Sequence, residues 1–263
     1  DGTSNIVGLV GMSLAARPAD RDHPYGHYKY ETYASAGIAA MLVFAAYRIG
    51  STTIEQLTTA ALPTRVNAIA FGVMIVTLGV NLFITTWERR VGKRLGSEVL
   101  IADASHTASD VLVSVGVMIS LAIVWIGEAT GHPEFAKADP IVALLVAVAI
   151  IYTAWGVFKQ ASATLSDTAR IDPKDICSAV MATKGVLGCH HVRTRGSAAE
   201  VYVDLHVQVD ESRTVSDGHR IAEDVERMLV EEFPQVVDAI VHLEPYDEYQ
   251  VEKTAKESDA GLA

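Results

Sequence analysis

DASHTASD, residues 103–110, is the stretch on which the reading of the whole chain turns. It sets Asp103, His106 and Asp110 at intervals of three and four, the steps that share one helical face. The run that follows, VLVSVGVMISLAIVWIG, carries no charge from Val111 to Gly127. Two acids and an imidazole thus enter a segment with the length and composition of a membrane helix. At the bilayer centre an ionised side chain costs on the order of 3 kcal/mol or more unless it is paired, hydrated or bound to an ion. His106 and Asp110, one turn apart, can hold a metal ion or a proton between them. The plainer alternative is a hydrogen-bonded polar pair that joins helices. Asp103, one turn earlier, is either a mouth residue that attracts cations or an interfacial acid.

Working outward, a bilayer crossing takes about 20 mostly apolar residues in a helix. Segments at roughly 1–16, 31–57, 66–88, 98–127 and 139–163 meet or approach that length. Five in succession with short links read as a membrane helix bundle. The chain begins at Asp1 partway through an apolar helical pattern, so it reads as a fragment lacking its true N-terminus. The 17–30 link carries Arg17, Arg21 and Lys29, and the 88–97 link carries Arg89, Arg90, Lys93 and Arg94. The 58–65 and 128–138 links are poor in bases. The positive-inside rule therefore puts the two basic links, and everything after residue 164, in the cytoplasm.

Composition divides the chain at the same place. It has 263 residues, 50% of them hydrophobic, and a formal net charge of −11. Residues 1–165 hold 12 acids and 11 bases, whereas residues 166–263 hold 20 acids and 10 bases. So sharp a break marks a domain boundary, and an acidic tail domain would repel nucleic-acid phosphates. Only Cys177 and Cys189 occur, which predicts no disulfide framework and a reducing compartment. Cys189 reads as a small buried apolar residue.

Within 166–246, IDPKDICSAVMATK predicts a short helix near Pro173 capped by Asp172, and GCHHVRTRG and EVYVDLHVQVD alternate like strands. TVSDGHRIAEDVERMLVEEF is amphipathic at helical period over a core stripe of Ile221, Val225, Met228 and Leu229, and VVDAIVHLEP is a last strand. The order α-β-β-α-β makes a small α+β domain. Residues 247–263 are polar and predict a disordered tail.

Two further sets of donors stand out. DRDHPYGH places Asp20, His23 and His27 within eight residues, where Pro and Gly can turn the backbone so that all three converge on one ion. The plainer reading is a structural turn whose histidines cap neighbouring helix ends, a companion to metal binding rather than its rival. In the tail, His206 and His242 fall on predicted strands, with Glu244 on the face of His242. A His and carboxylate donor set suits Zn²⁺. His132 and His191 match no pattern and read as bystanders.

AARPADRDHPYGHYKYE, the HTASDVLVSVGV helix, the ADPIVALLVA helix start and the α-β-β-α-β unit together resemble the cation diffusion facilitator family, along essentially the whole chain. The resemblance implies a homodimeric, multi-pass carrier with six membrane helices, of which five remain here. It implies export of Zn²⁺ or a similar divalent ion (Cd²⁺, Fe²⁺, Co²⁺ or Mn²⁺) in exchange for protons. Both chain ends and the tail domain would be cytoplasmic. It also implies a transport site made by Asp1, a residue before the present start, His106 and Asp110. A loop site would use Asp20, His23 and His27. A pair of ions near the dimer contact would use His190, His206, His219, His242 and Glu244. The absence of a His-rich insertion between the fourth and fifth helices fits a bacterial inner-membrane member. The alternatives are a membrane metal sensor that carries nothing and a membrane zinc protease, though HExxH is missing. No GxxxxGK[ST] loop suggests ATP coupling, and nothing suggests an enzyme.

Overall fold

The DASHTASD stretch lies in α4 (Glu98–Thr130), and the start of that helix is held from outside. Ser97 is its N-cap, and the Ser97 hydroxyl accepts from Leu100 N at 3.3 Å. Glu31, from the first turn of α2 (Lys29–Thr59), adds its carboxylate, accepting from Val99 N at 3.1 Å and from the Ser97 hydroxyl. An acid at a helix N-terminus satisfies free N–H groups and meets the positive end of the helix dipole. These contacts fix α4 against α2. Around this pair stand α1 (Gly2–Ala15), α3 (Ala68–Leu95) and α5 (Ala138–Leu165).

This computed structural model describes residues 2–59, 68–132, 135, 137–250 and 252, and it divides into two units, Asp1–Ser162 and Ala163–Ala263. In the first unit, four helical stretches are long and apolar enough to cross a membrane: Lys29–Thr58, Phe71–Leu95, Glu98–Gly127 and Ala138–Leu165. The fifth expected crossing, α1, is a shorter apolar helix. The unit's inward surface is small, built on Ala34, Ile38, Ala39, Leu42 and Ala46 of α2 with Val99 and Ala102 of α4 and Ile150 and Ala154 of α5. Phe83, Trp125, Tyr152 and Trp155 face outward and are exposed. In water such a surface would be a liability, whereas in lipid it is the expected exterior. A Cβ on Gly116 would fall 2.7 Å from Val146 Cγ2, so only glycine lets α4 and α5 approach this closely.

Between α3 and α4 the structure corrects the expected ten-residue link. Helix α3 runs on through Arg89, Arg90, Lys93 and Arg94 to Leu95. Arg and Lys are good helix formers, and bases in a last turn complement the dipole. The chain then turns on Gly96, whose φ of +64° suits glycine.

The second unit contains α6 (Pro173–Val180), β1 (Gly188–Gly196), β2 (Val201–Val209), α7 (Val215–Glu232) and β3 (Val236–Pro245). Its three-stranded sheet has the order β1-β2-β3, antiparallel between β1 and β2 and parallel between β2 and β3. Helix α7 makes the crossover that a parallel pair requires. Val201, Val203, Leu205 and Val207 alternate along β2 into a core shared with Ile176, Val180, Ile221, Val225 and Leu229, against which Met228 packs. Tyr202, Asp204, His206 and Gln208 occupy the opposite face of that strand.

Cys177 and Cys189 form a disulfide with Cα atoms 5.4 Å apart, which corrects the expectation of two free thiols. The pairing depends on α6 packing against β1, which the sequence spacing of 12 does not disclose. Of the expected disordered tail, residues 248–250 and 252 are helical, while 251 and 253–263 lie outside the described residues.

Candidate metal centres

On α4, His106 and Asp110 share the face that Asp103 begins. His106 lines a cavity of 440 Å³ together with Thr3 of α1 and Ala40, Met41, Phe44 and Ala45 of α2. Its Nδ1 is buried and has no hydrogen-bond partner among the described residues. An orphaned imidazole nitrogen in an apolar bundle needs an explanation, and a metal ion or a proton supplies one. Small residues at positions 40 and 45 help leave room for it. Asp1, the expected ligand from the neighbouring helix, lies outside the described residues.

One turn back, Asp103 is hydrogen-bonded to Ser4, and the Glu88 carboxylate of α3 lies within electrostatic reach of it. Asp103 Oδ1 and Glu88 Oε2 are buried without partners among the described residues. Glu88 escapes a sequence reading because it sits next to Arg89 and Arg90, where it looks like a surface residue. A second cavity, of 370 Å³, opens one turn beyond Asp110 between α2, α4 and α5. Its polar lining includes Arg48 and Asp139, whose Oδ1 accepts from the Ser120 hydroxyl at 2.5 Å.

The loop donors converge. Asp20 is the hub: Oδ1 accepts from His23 N at 2.7 Å and from Asp22 N at 3.0 Å. His23 Nδ1 lies 3.3 Å from Asp20 Oδ1, and His27 Nε2 lies 3.5 Å from Asp20 Oδ2. The backbone hydrogen bond from His23 chiefly holds the Asp20 carboxyl below its ordinary range, with its side chain, Asp22 and His27 adding to this and desolvation opposing it. His27 is buried, and its Nδ1 stands 3.1 Å from the Pro18 carbonyl. A carbonyl at that nitrogen selects the tautomer that leaves Nε2 free to accept a proton or a metal. Gly26, at φ +83°, makes the turn that returns the chain to His27. The donor atoms of all three residues lie within 4.8 Å of one another, and the donor set fits a divalent ion.

In the tail, register builds the third cluster. His190 pairs with His206 across β1 and β2, and His206 pairs with His242 across β2 and β3, so three histidines form a row on the face away from the core. Glu244, two residues along β3 and 4% exposed, links them. Its Oε1 lies 3.0 Å from His206 Nδ1 and its Oε2 lies 3.2 Å from His190 Nε2, while His242 Nε2 is 3.9 Å away. Donor atoms of His190, His206 and Glu244 fall within 4.8 Å of one another. Burial, foremost, lowers the His206 pKa, with His242 and His190 reinforcing it and Glu244 opposing it. A neutral imidazole is the form that binds metal. His219 stands apart on α7, 70% exposed and 3.4 Å from Glu223.

His191, read above as a bystander, is not one in position. Its ring centroid lies 4.9 Å from that of His206. The sequence offers no signal for this, because strand alternation points His191 away from His190 and only a bulge in β1 reverses it.

The sequence matches the family model of the cation efflux transmembrane domain over residues 1–166 and that of the cation efflux protein cytoplasmic domain over residues 169–246. It is 32% identical over 251 residues to an uncharacterized transporter of Methanocaldococcus jannaschii, spanning 94% of this chain and 85% of that one. It is 30% identical over 247 residues to the cation-efflux pump FieF of Yersinia pestis, spanning 93% of this chain and 79% of that one. Among solved structures, MamM-CTD is 26% identical, covering 27% of this chain and 91% of its own, with a TM-score of 0.27.

Proposed function

Because the chain belongs to the cation efflux, or cation diffusion facilitator, family of membrane transporters, we propose that it exports a divalent cation, zinc foremost, from the cytoplasm in exchange for protons. The observation that carries this reading is His106: an imidazole in an apolar helix, facing a cavity, with a buried nitrogen that nothing among the described residues satisfies. In this reading His106, Asp110 and Asp1 ligate the ion at membrane depth. A mixed imidazole and carboxylate set favours zinc over the all-oxygen preference of Mg²⁺ or Mn²⁺.

Exchange follows from the same donors. Emptied of metal, the site would keep unpaired negative charge in a low-dielectric surrounding, which is costly, so protons replace the cation. Metal and protons then compete for the same atoms, because ligation requires deprotonated donors. If the loaded site opens to alternate faces, a proton gradient drives export without nucleotide. Asp103 and Glu88 lie on the approach and attract the cation. The tail domain is cytoplasmic and mediates a homodimer, and metal on its histidine cluster and in the Asp20 loop regulates transport. The carrier resides in a cell membrane, the inner membrane if the source is a bacterium.

The test is zinc flux into proteoliposomes under an imposed pH gradient, read with an entrapped zinc dye. Native protein should move zinc against protons, and His106→Ala should abolish flux while the tail domain stays folded. Normal flux in that variant would sink the assignment, and zinc binding by the native protein without flux would make it a sensor.

A further inference from the structure

Consecutive strand residues point to opposite faces, so a regular β1 that turns His190 toward the cluster would turn His191 away. The register breaks there: His190 pairs with His206, but the next pair is Arg193 with Asp204, leaving His191 and Val192 in a bulge. His191 has φ +52°, a left-handed conformation that a residue with a β-carbon rarely adopts. The consequence is that Val192 still reaches the core while the His191 ring comes to 4.9 Å from His206. His191 Nδ1 is buried and has no hydrogen-bond partner among the described residues. Seating Val192 in the core accounts for the bulge, but it leaves the unsatisfied nitrogen of His191 without an explanation. Such outliers argue for a role at a site.

We propose that His191 is a metal ligand of the tail cluster, supplying a fourth donor to the ion held by His190, His206 and Glu244. The inference rests on the reading of that cluster as a metal site. Closed zinc sites take four protein ligands, and the three convergent donors leave one position. His242 is the other candidate, its ring 4.7 Å from that of His206 and its Nε2 3.9 Å from Glu244, but its side chain is 64% exposed whereas His191 Nδ1 is buried. With His191, the set becomes three imidazoles and one carboxylate. Nitrogen-rich donors of this kind select Zn²⁺, Co²⁺ or Ni²⁺ over Mg²⁺, Ca²⁺ or Mn²⁺.

The experiment uses the full chain in detergent, in a His106→Ala, His23→Ala background that removes the membrane and loop sites. Zinc-induced rise in the melting temperature of the tail domain and visible absorption of bound Co²⁺ are compared for His191→Gly, His191→Ala and His190→Ala. Glycine accepts the positive φ, so His191→Gly should melt no lower than its parent without metal. It should nevertheless bind zinc roughly tenfold or more weakly, and Co²⁺ should lose the intense bands of four-coordination. If His190→Ala weakens binding while His191→Gly leaves affinity and bands unchanged, His191 is only a bulge residue and the proposal is overturned. If His190→Ala also leaves binding untouched, the cluster is not a metal site and both readings fall together.

Discussion

The two units bury their polar groups by opposite logics. In the helical unit the donors His106 and Asp110 stand one turn apart on a single element, and the surroundings are apolar because lipid is the solvent. In the tail the donors come from three strands, on the sheet face opposite a core of Val203, Leu205, Val207 and Val225. The first arrangement is local in sequence and weakly packed. The second is non-local and rests on a core that water drives together.

The same truncation in each core tests this contrast most forcefully. Leu205 and Leu42 are equally buried, each 1% exposed. In the tail, Leu205→Ala loses both hydrophobic transfer and packing, which should cost about 2–5 kcal/mol in denaturant unfolding. In the bundle, lipid is as apolar as leucine, so Leu42→Ala loses packing alone and should cost clearly less. Steric-trap unfolding in bicelles measures the second value. Equal losses would mean that the first unit is stabilised as a water-soluble core is.

The contrast also explains what the sequence discloses. Helix spacing is a local code, so the apolar segments and the His106–Asp110 step are visible directly. Strand alternation similarly puts His206 on the far face from Leu205. What stays hidden depends on contacts between elements. Glu88 approaches Asp103 from another helix. Asp139 meets Ser120 across 19 residues. His191 turns toward His206 through a bulge that no alternating pattern contains. The cysteines meet because a helix packs on a strand, and their spacing reads equally well as two unrelated apolar positions.

That disulfide sharpens the comparison at intermediate size. Closing a loop between Cys177 and Cys189, 12 residues apart, restricts the unfolded tail and should contribute about 3 kcal/mol by chain entropy. A reductant, or Cys177→Ser with Cys189→Ser, should lower tail stability by roughly that amount and leave zinc flux through the bundle largely intact. Mass spectrometry after blocking free thiols checks that the bond is present. An unchanged unfolding midpoint on reduction would show that helix α6 is held to β1 by packing alone.

The smallest effect separates the units by pH. In the tail, the Thr214 hydroxyl donates to Asp217 Oδ2 at 2.7 Å, and Asp217 N donates back to Thr214 Oγ1 at 3.1 Å, capping α7. The hydrogen bond from Thr214 chiefly lowers the Asp217 pKa, with Arg220 and Arg213 adding to it and desolvation opposing it. A carboxyl whose folded pKa is depressed stabilises the fold fully above its unfolded pKa, about 3.9. That stability is lost as pH falls from there through the folded pKa. Thr214→Ala should therefore destabilise the tail by about 1 kcal/mol at neutral pH, the usual worth of a cap. The difference between the variant and native tail should shrink as pH falls below about 4, where the carboxyl protonates first in the unfolded chain and only lower in the folded one. Zinc flux assayed at neutral pH should not respond, because the tail stays folded and the cap touches none of the cluster residues His190, His206 and Glu244.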